Sequence, residues 1–270
     1  MTKALVTGAG GGIGAAIARA LDKRGHSLIL ADRAAGPLDA VAATLSSRPE
    51  TILCDLSSRE DVERLCMTLE TVHPDLDVLV NNAGIVVPGA VSGLTQEELD
   101  LHLEINLRAP IRLMRAVAPR MIARGRGAMV ATVSLGGVIS LKDSAIYSAS
   151  KFGLRGFLCG FHQELAPLGV KVSGVYPAAV DTPMLHHEAL HGGSVLNFID
   201  KVMTPDDIAA ATLKAIDTGK LEVYSPWSAS LTARFFGSFP WMIRPLLPLM
   251  EKIGEKGRQK FIAAKGFSTE

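Results

Sequence analysis

Short, almost unbroken apolar runs alternate along this chain with longer stretches in which apolar positions return every three or four residues. The runs are Ala4-Leu-Val6, Ser27-Leu-Ile-Leu-Ala31, Glu50-Thr-Ile-Leu-Cys54, Asp77-Val-Leu-Val80, Gly127-Ala-Met-Val-Ala-Thr-Val133, Val170-Lys-Val-Ser-Gly-Val-Tyr176 and Leu221-Glu-Val-Tyr224. They are too short for helices and show little polar alternation, the pattern of strands buried on both faces. The spacing predicts helices over 15–21, 38–46, 58–72, 95–124, 147–165 and from Pro205 onward. Alternation of this kind predicts an α/β fold: a doubly wound parallel sheet in a three-layer arrangement. With no internal repeat and no linker, 1–270 reads as one domain.

Local signals refine the picture. Thr95 and Glu98 form a capping-box pattern. Thr204 reads as a helix cap with Pro205 at the first helical position. Pro110 and Pro119 are expected to kink or interrupt the 95–124 helix. Asn106, a poor helix-interior residue, marks a kink there or has a task of its own. Residues 183–203 contain His186, His187, His191 and two glycines. They read as a loop-like lid over a substrate rather than a metal site. Residues 226–270 form an apolar and basic helical extension holding both tryptophans and Phe235, Phe236 and Phe239. Arg234, Arg244, Pro240, Pro245 and Pro248 argue against a membrane-spanning helix there.

Candidate chemistry collects where the strands end. Between the first strand and the helix at 15–21 lies Thr7-Gly-Ala-Gly-Gly-Gly-Ile-Gly14. Strand, glycine loop and helix form the context of a Rossmann-type dinucleotide site, with Gly8, Gly12, Ile13 and Gly14 as the loop. Glycines let the backbone approach a pyrophosphate, and a helix N-terminus favours its charge. Asp32 ends the second strand, where a carboxylate accepts from both ribose hydroxyls of NAD and repels a 2′-phosphate. Arg33 beside it would pair with that phosphate, so NAD(H) is favoured and NADP(H) is the alternative. Asp55 could contact an adenine or cap the helix at 58–72, and the two roles are compatible. Asn81-Asn82-Ala83-Gly84 turns at the end of the fourth strand. Ser134 ends the fifth, at the edge where open α/β sheets bind ligands. Tyr147 and Lys151 stand four residues apart on one helix face, where an ammonium lowers the cost of a phenolate.

Bulk properties set limits. The chain has 270 residues, 48% apolar with few aromatics, which suits an α/β protein. A net charge of +1 provides no global field for nucleic acid. Cys54, Cys66 and Cys159 show no metal-ligand spacing, consistent with a reducing compartment. The apolar run that starts at Ala4 leaves no room for a signal peptide, so a cytoplasmic protein is expected.

Taken together, Thr-Gly-x-x-x-Gly-Ile-Gly at 7–14, Asn-Asn-Ala-Gly at 81–84, Asn106, Ser134 and Tyr147-x-x-x-Lys151 resemble the short-chain dehydrogenase/reductase family over roughly residues 3–225. The resemblance implies hydride transfer between NAD(P)(H) and an alcohol or ketone. Tyr147 would be the general acid/base and Ser134 would hydrogen-bond the substrate oxygen. Lys151 would bind the nicotinamide ribose and lower the phenol's pKa, and Asn106 would hold a water in a proton relay. Asp32 would bind the adenosine ribose, Asp55 and Leu56 the adenine. Asn82, Ala83 and Gly84 would line the groove, and Pro177, Val180 and Thr182 would meet the nicotinamide end. One departure is Ala178, where the family usually has glycine after the proline. A homodimer or homotetramer is implied.

The extension is loosely similar to those of members acting on steroids, retinoids or long-chain alcohols. The expected substrate is therefore a hydrophobic secondary alcohol or its ketone. Residues 226–250 would cover the pocket mouth, form a subunit interface, or lie on a membrane with Lys252, Lys256, Arg258 and Lys260 toward headgroups. A non-catalytic nucleotide-binding scaffold is the reading from another class. Intact Asn106, Ser134, Tyr147 and Lys151 argue against it.

Overall fold

In the computed structural model, which describes residues 2–140 and 142–267, all seven apolar runs become strands of one sheet. They are β1 (Lys3–Thr7), β2 (Ser27–Asp32), β3 (Glu50–Leu53), β4 (Val78–Asn81), β5 (Gly127–Thr132), β6 (Val170–Pro177) and β7 (Glu222–Ser225). Every pairing is parallel, in the order β3-β2-β1-β4-β5-β6-β7. The helices are α1 (Gly12–Lys23), α2 (Ala35–Ala42), α3 (Arg59–Thr71), α4 (Gln96–Leu103), α5 (Ala109–Arg124), α6 (Ala145–Leu165), α7 (Pro183–His191), α8 (Pro205–Thr218), α9 (Trp227–Ser238) and α10 (Leu247–Lys265).

Strand side chains alternate between the two faces, so each face has its own core. Leu5, Ile29, Leu79 and Met129 pack with Leu65, Leu113 and Leu154 of α3, α5 and α6. Val6, Leu30, Val80 and Val130 pack with Ile17 of α1 and Ile208 of α8. This is the predicted three-layer doubly wound fold. Strand order reverses between β1 and β4, which opens a crevice at the carboxyl ends of the strands.

Four local expectations change. The helix expected over 95–124 is α4 and α5 joined by a π-helical turn, Glu104–Arg108, with Asn106 inside it. Pro110 follows in the first turn of α5; lacking an N–H, it cannot serve the Asn106 carbonyl in the α-helical pattern. Pro119, by contrast, is accommodated within α5 on its exposed face, so no interruption occurs there. The segment 183–203 is not loop-like. Thr182 caps α7 through a bond from Leu185 N to its Oγ1 (3.4 Å), Pro183 opens the helix, and a 3-10 turn follows at Val195–Phe198. Its glycines and histidines had masked a Thr-Pro helix start. Lastly, α2 runs earlier than 38–46 because Pro37 sits in its first turn, where no N–H is required.

The extension is part of the folded body. Cβ atoms at Gly254 and Gly257 would lie 2.3 Å from Val195 O and 1.9 Å from Phe198 O, so the bare glycines let α10 rest directly on that 3-10 turn. Lys265 bonds Asp181 (2.5 Å), which also meets His186 (2.6 Å), tying the end of α10 to the loop after β6. Arg155 and Arg234 both pair with Glu222, fastening α9 beside β7. Trp227, Leu231 and Phe235 of α9, Trp241 of the 3-10 turn Pro240–Met242, and Leu249 and Ile253 of α10 remain exposed. Among the described residues, no helix is long and apolar enough to cross a membrane.

Candidate active site

β1 ends at Thr7, and its hydroxyl begins the site. Oγ1 accepts from Asn82 N (3.1 Å) and Ala83 N (3.2 Å). Asn82 Nδ2 donates to Thr7 O (3.2 Å) and Gly8 O (3.4 Å), and its Oδ1 accepts from Thr132 Oγ1 (3.2 Å). The Asn82 amide thus stitches β1, β4 and β5 at the crevice. Gly8 has φ +64°, and a Cβ on it would lie 2.8 Å from Ala83 Cα. A Cβ on Gly14 would lie 1.9 Å from Gly8 O. The loop is therefore folded so tightly that these positions take no side chain.

The beginning of α1 is built for an anion. Its N-cap, Gly11, supplies no side-chain bond, so the orphan N–H groups of the first turn and the positive end of the helix dipole are available. Asp32 Oδ2 accepts from Gly10 N (2.9 Å) and Oδ1 from Ala34 N (3.2 Å). Each oxygen keeps a lone pair for a ligand. Arg33 is exposed beside it. Asp55 is not the cap of α3: Ser58 is, accepting from Asp61 N (3.2 Å), while Asp55 Oδ1 bonds Ser57 N and Oγ.

The chemistry gathers at β5 and α6. Ser134 has φ 138° and ψ 159°, a region that side-chain-bearing residues rarely adopt and that costs on the order of 1–3 kcal/mol. Its Oγ accepts from Gly136 N (3.0 Å). A Cβ at Gly136 would sit 2.8 Å from Tyr147 Cε1 and 3.4 Å from Ser134 Oγ, so phenol and hydroxyl meet over this bare position. Lys151 is buried one turn further along α6. Its Nζ donates to Thr132 O (3.0 Å) and lies 5.8 Å from the Tyr147 ring centroid.

Asn106 is fully buried behind these groups. Its Oδ1 accepts from Ile85 N (2.9 Å), and its Nδ2 donates to Ile85 O (3.0 Å) and Ser150 Oγ (3.2 Å). Ser150 Oγ in turn donates to Tyr147 O (2.6 Å). The Asn106 amide is thus committed to clamping the segment after Gly84 to α6. All the sequence-derived candidates except Gly14 and Asn106 line a single cleft of about 690 Å³. Thr7, Gly136, Ser150 and Glu188 were missed. Ser150, three residues after Tyr147 on the same helix, was detectable from spacing; Glu188 was hidden by the loop reading of 183–203.

Burial dominates the titration of the pair. It pushes the Tyr147 phenol up to about 12, against the pull of the Ser134 hydroxyl, with the Glu188 charge adding to the rise. It lowers the Lys151 ammonium to about 8. The sequence reading, in which a nearby ammonium supplies part of the preference for phenolate, did not include this desolvation. The shifts predict a pH dependence of stability. The native Lys151 pKa lies below its ordinary 10.5, so the native state binds fewer protons between about 8 and 10.5 and stability rises with pH there. Tyr147 acts oppositely above its ordinary 10.0, because its native pKa is higher. The wild-type Tm should gain on that of Lys151→Met between about pH 8 and 10, by up to roughly 3 kcal/mol equivalent, in parallel thermal melts.

The architecture and the cleft define a dinucleotide-binding α/β oxidoreductase, and comparison with known proteins narrows this. The chain matches the short chain dehydrogenase family over residues 2–191 and belongs to it. It is 32% identical over 219 residues to an uncharacterized oxidoreductase of Staphylococcus aureus (strain USA300), covering 80% of this chain and 91% of the relative. A short-chain dehydrogenase from Sphingobium yanoikuyae, solved in complex with NADPH, aligns with a TM-score of 0.78 and 31% identity over 90% of this chain and 95% of that one. The bulky-bulky ketone specific alcohol dehydrogenase from Comamonas testosteroni aligns with a TM-score of 0.74 and 28% identity over 87% and 92%.

Proposed function

We propose that this enzyme transfers a hydride between NAD(H) and a bulky apolar secondary alcohol or its ketone, of steroid-, retinoid- or long-chain-lipid-like character. The observation that carries the reading is the meeting of Ser134, Tyr147 and Lys151 with the glycine loop in one cleft. A nicotinamide dinucleotide fits the residues present. The uncapped start of α1 would hold the pyrophosphate, Asp32 the adenosine ribose, and Asp55 with Leu56 the adenine. Lys151, with two N–H groups left after Thr132, would hold the nicotinamide ribose. Pro177, Val180 and Thr182 would flank the nicotinamide end. When bound, the dinucleotide supplies or accepts the hydride.

The chain's own groups handle the proton. Tyr147 Oη gives its proton to the carbonyl oxygen in reduction and takes it back in oxidation. A phenol held up to about 12 keeps its proton at neutral pH, which suits reduction. Ser134 donates its O–H to the same oxygen as negative charge develops there, while one of its two lone pairs accepts from Gly136 N. Asn106 acts through position: its amide fixes the Ile85 backbone and, through Ser150, the first turn of α6. A relay water would have to use its backbone carbonyl.

The substrate class is supported by the outer half of the cleft, where Leu185, Leu196, Ala229, Ala233 and Met250 contribute apolar walls. The similarity to a bulky-ketone enzyme supports the same class. Asp32 favours NAD(H) by repelling a 2′-phosphate, although a similar enzyme was solved with NADPH and exposed Arg33 is the residue an NADP(H) enzyme would use. Turnover of apolar ketones followed at the reduced-nicotinamide band should be at least about tenfold more efficient with NADH. Asp32→Ala should shift the balance toward NADPH. A tenfold advantage of NADPH in the wild type contradicts the Asp32 assignment.

A second reading concerns the outside of the extension. Exposed Trp227 and Phe235 of α9 and Trp241 of the 3-10 turn after it precede α10, which carries Lys252, Lys256 and Lys260. We infer peripheral contact with an anionic lipid surface, beside walls of the cleft that an apolar substrate would reach. Flotation with anionic vesicles should carry the wild type upward and leave behind a Trp227→Ser, Trp241→Ser variant; equal flotation of both removes this reading. A homodimer or homotetramer is proposed on family membership alone.

A further inference from the structure

The substrate half of the cleft contains a buried carboxyl that the proposed chemistry does not use. α7 turns Leu185, Glu188 and Ala189 inward, with exposures of 3%, 8% and 0%. Such an i, i+3, i+4 stripe is ordinarily apolar throughout, and here an acid takes its middle position. The side chain lines the cleft together with Tyr147 and Ser134. Its contact is a long one, from Asn197 Nδ2 to Oε1 at 3.5 Å. Among the described residues, no ion pair reaches it. Gly193 makes room for it: a Cβ there would lie 2.7 Å from Glu188 Cβ and 3.1 Å from its Oε1. Leu185, Leu196, Ala233 and Met250 give the same cleft apolar walls, and Asn197, Asp200, Lys201 and Thr232 are also in its lining.

A carboxyl withdrawn from water without a partner is expensive to keep. Packing does not require one, since a leucine or methionine would fill the stripe. The group is set in a cleft built to admit a ligand, and its charge is felt by the Tyr147 phenol.

We propose that Glu188 is a specificity-determining residue that binds a hydroxyl on the substrate, remote from the reacting carbon, so that the preferred substrate is a bulky apolar ketone or alcohol bearing a second hydroxyl. This rests on the dehydrogenase reading above and adds a substrate feature to it. Burial pushes the carboxyl up to about 7, so both protonation states are populated near neutrality. A hydroxyl suits both: it donates to the carboxylate and accepts from the acid. A site built around such a bond discriminates strongly against the analogue that lacks it.

The test uses the full chain with phenylcyclohexanone and its para- and meta-hydroxyphenyl analogues, assayed with NADH and with NADPH. Wild-type kcat/KM should favour one hydroxyphenyl ketone over the plain ketone by about tenfold or more. Glu188→Leu and Glu188→Ala should bring that ratio close to one, mainly through KM. Glu188→Gln, which keeps the volume and hydrogen-bonding capacity, should retain much of the ratio. If Glu188 only tunes Tyr147 or supports the fold, the variants will change all three ketones by the same factor; that result, or a wild type without the preference, overturns the proposal. A wild type that reduces none of the three contradicts the dehydrogenase reading itself, and this inference falls with it.

Discussion

Tyr147→Phe should lose turnover by about 10²–10⁴-fold while still binding NADH with a Kd near that of the wild type. The substitution removes one oxygen and keeps the ring that packs against Gly136, so the fold has no reason to change. What disappears is the group that joins a movable proton to contact with Ser134. Ser134 cannot replace it, because an aliphatic hydroxyl holds its proton far more tightly than a phenol does, and its position is held at an unfavourable backbone angle. Lys151 cannot replace it either, because the N–H groups it has left after Thr132 O are those that would hold the nicotinamide ribose. Residual activity should come from orientation and from the Ser134 bond alone. Steady-state kinetics with NADH fluorescence titration separates the two quantities. Loss of cofactor binding in parallel with turnover would mean that Tyr147 supports the site rather than moving a proton.

Gly14→Ala should be the most damaging single methyl group in the nucleotide half. Its Cβ would fall 1.9 Å from Gly8 O and 2.8 Å from Asn82 Nδ2. Both neighbours belong to the network that stitches β1, β4 and β5, so neither can withdraw without breaking bonds to Thr7 and Thr132. Overpacking of this kind costs about 1–3 kcal/mol, and in a chain of this size each kcal/mol lowers Tm by about 2–4 °C. NADH affinity should fall about tenfold or more because the start of α1 moves. Gly11→Ala is the informative comparison. Nothing lies within 4 Å of a Cβ at Gly11, and its φ of −179° is extended backbone open to any residue. Its Tm should stay close to wild type while the new methyl intrudes on the anion cradle. Equal Tm losses in the two variants would contradict this account of the loop.

The parts of this molecule legible in the sequence are those with short-range signatures. Apolar runs gave the strands because each is buried on both faces, and the parallel order follows from the helices between them. The glycine loop and Asp32 belong to one strand–loop–helix–strand unit, so their proximity was readable. Asn106 was readable as an anomaly only. Its clamp on Ile85 joins residues 21 apart through a π-helical turn that no periodicity encodes. α7 was lost because histidines and glycines look like a loop, and Glu188 was lost with it. The burial that governs Tyr147 and Lys151 was also invisible, since desolvation depends on how the whole cleft closes over them. Spacing placed the pair on one face, whereas the protein interior sets how hard each holds its proton.

The central claim, hydride transfer between a nicotinamide and a carbonyl carbon in this cleft, is tested most directly by isotope transfer. A bulky apolar ketone such as phenylcyclohexanone is incubated with wild-type enzyme and NADH deuterated at the transferring position, and the product is analysed by mass spectrometry. The expected product is the secondary alcohol with one deuterium on the carbinol carbon, formed at a rate that collapses in Tyr147→Phe. Alcohol formed without deuterium from either face of the labelled cofactor, or at the same rate in Tyr147→Phe, would contradict it.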